Sequence, residues 1–377
     1  MTATAVTAVD DLADSPARPA QSPRPGRFVV LTGSIGNGHV GPARELARRL
    51  AVAGHRAEVL DVVTAAPGGI GRVLGCAFHR QLAWAPGTWD RIFRVTDRPT
   101  NGEGATGGLH RLVVPAVRRL LSRAPVTAVI STFPLAGHAA AAAIRDLGQR
   151  IPLVTYLTDP APHTAWIVPG TERYLTGWAA TATRLRRLTT APVEAVGPLV
   201  GPDFGPAASS VSGEARRRWH LPDRPLVLVM SGSWGVGEIS ATVADLLTDP
   251  AGPTPVVVCG RNDRLRRRLA ARFPVPVLGW VPQMAELMRA CQVAVLNSGG
   301  LTLAEANTIG LPVVHYRPLA GQGRANAVFA VQAGLARWAH SPQELLAAVR
   351  VPARPGPAVG LDPVTRVLAM CGMTAAA

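Results

Sequence analysis

The feature of this sequence that most constrains its fold is an apolar strand that runs into a helix through a glycine turn. The strand reads VAVL at Val293–Leu296, and the following run SGGLTLAEANTIGLP extends from Ser298 to Pro312. Leu301–Ile309 is rich in helix-forming residues, and Gly310 ends the predicted helix. A strand followed directly by a helix is the repeating unit of a parallel sheet covered by helices.

The turn between this strand and this helix predicts a binding site for an anion. Glycines let the backbone turn tightly and approach a ligand closely. The first N–H groups of a helix have no partner within it, and the helix dipole places partial positive charge there. We therefore expect a diphosphate to bind at Ser298, Gly299, Gly300, Leu301 and Thr302. Glu305, one helical turn after Leu301, is placed to reach a hydroxyl group beside the phosphates.

Strands and helices alternate in both halves of the chain, which predicts an α/β fold with two Rossmann-like doubly wound domains facing a cleft. A length of 377 residues suits two domains of ordinary size. Residues 1–26 read as a disordered tail, and residues 27–200 as a first domain. A linker rich in Gly, Pro and Ser at 201–213 leads to a second domain at 214–348. Residues 349–377 are expected to cross back onto the first domain.

Composition excludes several classes of function. The formal net charge is +15, and all 39 basic residues are arginine, so lysine-dependent phosphate loops and Schiff-base chemistry are excluded. The four cysteines have no close spacing, which fits neither a zinc site nor a disulfide framework. No apolar run reaches the length of about eighteen residues that a membrane-spanning helix needs. No nucleic-acid module is recognised among the scattered arginines, so we expect no nucleic-acid partner.

A glycine loop in the first half supports an alternative from another class of enzyme. Residues Gly36 to Gly41 satisfy the G-x-G-x-x-G pattern after a strand and before a helix, and Asp61 ends the next strand. This is the fingerprint of a dinucleotide site, so an NAD- or FAD-dependent oxidoreductase is one alternative, and a purely structural glycine loop is another. However, His39 lies where the loop enters the helix, a position that suits a general base.

Three features of the second half indicate one bound nucleotide, and the run from Ser298 to Glu305 described above is the first of them. Ser233 lies in a Ser/Gly loop after a strand, a second phosphate-binding turn. The segment GWVPQ supplies Trp280, Val281 and Gln283, which suit the edge of a flat base, although Trp280 could instead be a core residue. Gln322 and Asn326 follow the last strand and could read the hydroxyl groups of a sugar. For Glu305 the alternative is an exposed salt bridge.

Four motifs resemble those of the GT-B glycosyltransferases, in the group that holds MurG and the monogalactosyl- and glucosyl-diacylglycerol synthases. They are GSIGNGH at Gly33–His39, TDPAPHTAW at Thr158–Trp166, the donor run from Ser298, and AGQGRANAV at Ala320–Val328. The resemblance covers residues 27–348. It implies hexosyl transfer with inversion from a UDP-sugar, which serves as co-substrate without a further cofactor, to a lipid such as diacylglycerol. Gly321 departs from related donor boxes, which place an acidic residue before the glutamine.

Direct displacement at a sugar carbon needs a base for the acceptor hydroxyl and stabilisation of the departing diphosphate. We expect His39 to be that base, with Asp159 either orienting His39 or serving as the base itself. A third alternative for Asp159 is capping of the loop before Pro160. Because the chain contains no Asp-x-Asp, we expect no metal, and the helix near Leu301 with the Ser233 loop takes the metal's role.

The acceptor is expected to bind on the first domain. The insert at residues 68–98 carries Trp84 and Trp89 among arginines, which suits an anionic membrane surface, although an ordinary surface helix would look similar. Gly38, His163 and Trp166 are expected to line the cleft nearby. The expected location is the cytoplasm, with peripheral attachment to the inner face of the cell membrane. A soluble metabolite or an isoprenoid-linked sugar is an alternative acceptor, and a UDP-sugar epimerase is an alternative enzyme.

Overall fold

The computed structural model describes residues 25–71, 73, 75, 77, 86–97, 108–205, 211–297, 299–352 and 360–374. Several predictions fall on other parts of the chain. Residues 1–24 of the expected tail, Trp84 and Ser298 lie outside the described residues, as does the side chain of Trp89.

The first sheet has six parallel strands in the order β2-β1-β3-β4-β5-β6. These strands are β1 (Arg27–Thr32), β2 (Arg56–Asp61), β3 (Ala128–Ser131), β4 (Leu153–Leu157), β5 (Arg173–Thr176) and β6 (Val193–Ala195). The helices of this half are α1 (Val40–Val52), α2 (Val62–Ala65), α3 (Pro86–Thr96), α4 (Val114–Leu121), α5 (Pro134–Leu147) and α6 (Ala179–Leu185). Short 3₁₀ turns occupy Pro67–Gly69, Leu109–Leu112, Thr164–Trp166 and Pro202–Phe204.

The second sheet repeats this arrangement with the order β12-β11-β10-β7-β8-β9. Its strands are β7 (Leu226–Met230), β8 (Thr254–Val258), β9 (Val277–Leu278), β10 (Val293–Leu296), β11 (Val313–Tyr316) and β12 (Arg337–Ala339). Its helices are α7 (Val211–Arg218), α8 (Ile239–Leu246), α9 (Asp263–Arg272), α10 (Met284–Ala290), α11 (Gly300–Thr308), α12 (Gln322–Gln332) and α13 (Pro342–Arg350).

Helices cover both faces of each sheet, as the continuous apolar strands require. Successive side chains of a strand point to opposite faces. In β1, Phe28 and Val30 therefore pack with α1, whereas Val29 and Leu31 pack with α4 and α5. The second sheet is buried in the same way between α7, α10, α11 and α12 on one face and α8, α9 and α13 on the other.

The last helix, α14 (Pro363–Met370), packs on the first domain although it follows the second in sequence. Val367 and Leu368 are fully buried in the cluster that holds Phe28 and α1. Asp362 caps α14 by accepting from Thr365 N, and its other oxygen lies 2.6 Å from Nη1 of Arg49 on α1. The chain thus leaves the first domain and returns to its core.

The predicted fold class is confirmed, and one element boundary differs from the prediction. Strand β2 ends at Asp61 as predicted, because the Asp61 carboxylate accepts from Val63 N and starts α2. Helix α11 begins at Gly300 rather than Leu301. Among the helices the structure describes, none has the length and apolar character needed to cross a membrane.

We expect Leu368→Ala to destabilise the protein strongly, because the change leaves a cavity in the core of the first domain. Loss of a buried leucine side chain typically costs about 2–5 kcal/mol. Leu361→Ala is the matched control, because Leu361 precedes the same helix but is 68% exposed, and exposed changes are usually within about 0.5 kcal/mol. Urea unfolding followed by circular dichroism measures both. Equal effects of the two variants would show that α14 is not part of this core.

Candidate functional site

A cavity of about 390 Å³ lies between the two domains. Its walls are the loops that follow the carboxyl ends of strands in both sheets, which is where ligands bind in open parallel α/β sheets. The first domain contributes residues 35–39 and 158–159. The second domain contributes residues 231–234, 280–282, 299–302, 305, 319–320, 322–323 and 326.

His39 stands at the start of α1 and lines this cavity. Its Nδ1 lies 3.1 Å from the carbonyl oxygen of Thr132 and 2.7 Å from Oγ1 of Thr158. A carbonyl oxygen can only accept, so Nδ1 carries the hydrogen of the neutral ring. Nε2 is then the nitrogen with the free lone pair, and it has no hydrogen-bond partner within the described part of the chain.

The surroundings of His39 favour its neutral form. Burial lowers the pKa of His39 below its usual value of 6.5, and this effect outweighs the charge of Asp159 and the Thr132 carbonyl, which both raise it. The rings of Phe133 and Trp166 lie 4.9 and 5.9 Å from the imidazole and account for part of this burial. At neutral pH the ring is therefore an unprotonated base.

Asp159 follows β4 and also lines the cavity, but it does not hydrogen-bond to His39. Its oxygens accept from Trp166 Nε1 and from Asn326 Nδ2, each at 3.3 Å. Orientation of His39 instead comes from Thr132 and Thr158, which the sequence reasoning missed. The signal was present, because each threonine directly follows the last residue of a strand whose carboxyl end faces the cleft.

Helix α11 approaches the first domain so closely that its first residue must be glycine. A Cβ on Gly300 would lie 2.2 Å from the carbonyl oxygen of Thr158. Gly299 before it has a φ of +107°, which other residues rarely adopt. The turn therefore brings the N-terminus of α11, with Leu301 and Thr302, to the cavity wall beside the loop that holds His39.

Glu305 lies on the cavity side of α11. Burial raises the pKa of Glu305 to about 8, and no positively charged side chain among the described residues offsets the loss of solvation. The predicted alternative, an exposed salt bridge, is not what the structure shows. A carboxyl group held in this way gains a strong partner when hydroxyl groups enter the cavity.

The Ser233 loop reaches the glycine loop of the first domain. Ser233 Oγ accepts from Asn37 N at 3.2 Å across the cleft. Ser231, two residues earlier in the same wall, is buried, and its hydroxyl has no partner among the described residues. The two serines therefore line the same cavity as the N-terminus of α11.

Trp280 and Val281 line the cavity, and Gln283 does not. Trp280 is 46% exposed, so it is not a core residue, and the Arg261 guanidinium lies 4.7 Å from the centre of its ring. An exposed indole with one covered face suits a flat ligand. Gln283 begins α10 without a side-chain cap.

Gln322 and Asn326 line the cavity but already contact the first domain. Gln322 Nε2 donates to Ala161 O at 3.0 Å and to Asn326 Oδ1 at 2.8 Å. Asn326 Oδ1 also accepts from Ala161 N at 3.0 Å, and Asn326 Nδ2 donates to Asp159. The two amides therefore join the domains, and Gln322 Oε1 is left for a ligand.

The predicted acceptor residues occupy different places. Gly38 lines the cavity, whereas His163 and Trp166 do not. His163 is buried, with Nδ1 accepting from Ala165 N and Nε2 3.3 Å from Phe93 O, so both ring nitrogens are engaged. Trp166 is 1% exposed, and its Nε1 donates a hydrogen bond to Asp159.

The alternative dinucleotide site would need Asp61 for a ribose. Asp61 Oδ1 instead accepts from Ser34 N at 3.1 Å and from Val63 N at 3.0 Å. The aspartate thereby fixes the start of the glycine loop. Among the described residues, no three His, Cys, Asp or Glu side chains form a group that could hold a metal ion.

Comparison with curated proteins finds relatives that act on diacylglycerol. The chain is 30% identical over 229 residues to the processive diacylglycerol β-glucosyltransferase of Bacillus subtilis, covering 59% of each chain. It is 32% identical over 234 residues to monogalactosyldiacylglycerol synthase 1 of Arabidopsis thaliana, covering 58% of this chain and 44% of that one. The matched region thus spans about three fifths or less of the length of these relatives. No protein-family model matches the chain.

Comparison with solved structures finds the same fold in MurG of Acinetobacter baumannii. The TM-score is 0.54 at 18% identity, over 86% of this chain and 89% of that one. The resemblance stated from the four motifs is confirmed by these matches. The chain is therefore a GT-B-fold protein and a homologue of the diacylglycerol glucosyltransferases and monogalactosyldiacylglycerol synthases.

Proposed function

We propose that this protein transfers a hexose from a UDP-sugar to a hydroxyl group of a lipid such as diacylglycerol, with inversion at the anomeric carbon. One observation carries the proposal. A neutral histidine with a free Nε2 and the N-terminus of a helix meet at one interdomain cavity. The first can take a proton, and the second can stabilise a departing diphosphate.

In the proposed reaction, Nε2 of His39 takes the proton of the acceptor hydroxyl as its oxygen attacks the anomeric carbon. The bond from that carbon to the diphosphate oxygen breaks, and UDP leaves with the electron pair. Attack and departure occur on opposite faces, so the configuration inverts. Asp159 does not hydrogen-bond to His39, but its charge favours the imidazolium that forms.

We assign each part of the UDP-sugar to residues that line the cavity. Trp280 and Val281 suit the uracil, Glu305 suits the ribose, and backbone N–H groups at 299–302 suit the diphosphate, aided by Ser233. Gln322 suits the hexose, because its Oε1 has no hydrogen-bond partner among the described residues. We propose that no metal and no resident cofactor takes part, since N–H and hydroxyl donors supply the stabilisation.

A lipid acceptor is supported by the two relatives and by the surface around the insert. Exposed apolar side chains of the insert include Ile70, Val73 and Val95, with exposed Arg91 on α3. Apolar side chains mixed with arginines suit the boundary of an anionic membrane. We propose that the protein attaches peripherally through this surface.

The proposed function is tested with UDP-hexoses, diacylglycerol vesicles and EDTA, with the glycolipid product read by mass spectrometry. We expect His39→Ala to lower kcat about 10²–10⁴-fold while UDP still raises the melting temperature as in the wild type. Asp159→Asn is the matched variant that separates the two candidate bases. A fully active His39→Ala together with an inactive Asp159→Asn would move the base to Asp159.

The same preparation separates the other classes of enzyme. UDP, and not NAD or FAD, is expected to raise the melting temperature, and conversion of UDP-sugar is expected to require an acceptor. Stabilisation by a dinucleotide alone would favour an oxidoreductase. Interconversion of UDP-sugars without acceptor would favour an epimerase, and transfer only to water-soluble acceptors would exclude the lipid.

Glu305 is expected to make donor binding depend on pH. Its pKa of about 8 keeps it mostly protonated at pH 7, and two ribose hydroxyls bind the ionised carboxylate better. Binding of a UDP-hexose should therefore release protons at pH 7, and its affinity should rise up to about pH 8 and then level off. Calorimetry in buffers of different ionisation enthalpy measures the release. Glu305→Gln should bind more weakly and release none, and an affinity that falls above pH 7 would contradict this role.

Membrane attachment is expected to depend on charge and on the apolar surface near the insert. The protein should sediment with phosphatidylglycerol vesicles at low salt and be released at high salt. Val95→Glu should weaken this binding, because Val95 is 53% exposed on α3. Val351→Glu, at an exposed valine after α13, is the matched control. Equal sedimentation of all three proteins would exclude this surface.

A further inference from the structure

Helix α3 belongs to the first half of the chain, yet it contacts the second domain through Asp90. One oxygen of Asp90 accepts a hydrogen bond from Gly321 N, at the start of α12. The other oxygen lies 2.8 Å from Nη1 of Arg324, one turn into the same helix. A carboxylate from the acceptor domain thus lies at the N-terminus of the donor-domain helix that carries Gln322.

Gly321 has no side chain with which to cap the N-terminus of α12. Helix α12 has 11 residues and no side-chain cap, because its N-cap residue is a glycine. The first N–H groups of such a helix need an acceptor, and the helix dipole favours a negative charge there. Asp90 supplies both from across the cleft.

The other end of α3 is fixed to the loop that carries Asp159. Asp97 Oδ1 accepts from Thr164 N at 2.9 Å, and Thr164 Oγ1 donates to Thr96 O at 3.0 Å. Helix α3 therefore spans from the loop after β4 to the start of α12. The first segment contains Thr158, which bonds the proposed base His39, and the second contains Gln322, the proposed sugar contact.

We propose that Asp90 is a positioning residue that fixes the Gly321–Gln322 turn, so that the hexose end of the donor site is complete only when α3 is seated. This inference rests on the proposed function. Asp90 and Gly321 do not line the cavity, so Asp90 acts through Gln322 rather than on the substrate. The ion pair with Arg324 is secondary, because Arg324 is 57% exposed and exposed pairs are weak.

The first test needs no catalysis. Hydrogen exchange read by mass spectrometry should show the peptide containing Gly321 protected in the wild type and exchanging at least about tenfold faster in Asp90→Ala. Arg324→Gln is the matched control, since it removes the ion pair and leaves the bond to Gly321, and it should exchange as the wild type. Unchanged exchange in Asp90→Ala would overturn the proposal.

The second test uses the split between nucleotide and sugar. Asp90→Ala should raise the KM for the UDP-hexose about tenfold, as expected for loss of a charge-assisted hydrogen bond, and leave the Kd for UDP unchanged. Asp90→Asn keeps an oxygen acceptor and should recover part of the loss. A fall in melting temperature with KM unchanged would show a structural role only.

The two levels of proposal fail in different ways. A wild type without UDP-hexose transfer would reject the proposed function and leave the hydrogen-exchange result standing. If the wild type is active and Asp90→Ala has the same KM and the same hydrogen exchange, the role of Asp90 is rejected and the proposed function stands.

Discussion

The close approach of Gly300 to the carbonyl oxygen of Thr158 sets the geometry of the whole cleft. A side chain at residue 300 would occupy the place of that oxygen, so only glycine lets α11 reach the first domain. The same threonine bonds His39 through its side chain. One residue therefore holds the proposed base and limits how closely the donor helix can approach it. The contact joins one residue from each domain, so the distance between His39 and α11 depends on how the two domains pack.

Two ionisable groups in the cleft, His39 and Glu305, have pKa values shifted by burial. Burial among aromatic rings keeps His39 neutral, and its two threonine partners leave Nε2 free. On the opposite wall of the cavity, burial raises the pKa of the Glu305 carboxyl to about 8. The cavity wall therefore combines a basic and an acidic group that burial shifts toward their uncharged forms.

The pattern of residues predicted the fold well, because strand, helix and turn preferences depend on residues close together in the chain. Strands buried on both faces are continuously apolar, and glycines and capping residues mark where helices start and stop. Asp362 and Pro363 mark the start of α14 in this way. The same reasoning placed His39, Asp159 and Glu305 near one cleft, since carboxyl ends of parallel strands meet at one edge. It did not assign a role to Thr132 or Thr158, although both directly follow strands, because their bonds to His39 join residues 93 and 119 positions apart in sequence.

The amides of Gln322 and Asn326 show where local reasoning stops. Their position after a strand predicted sugar contacts, yet most of their donors and acceptors join the two domains. Gly321 stands where related donor boxes have an acidic residue. Its backbone N–H donates to the carboxylate of Asp90, which belongs to the other domain. The sequence by itself determined two parallel sheets, their loops and the residue types in the cleft, because periodicity and backbone preference act over a few residues. Only the tertiary structure decided which side chains pair across the cleft, because those partners are more than a hundred residues apart and meet only when the domains dock.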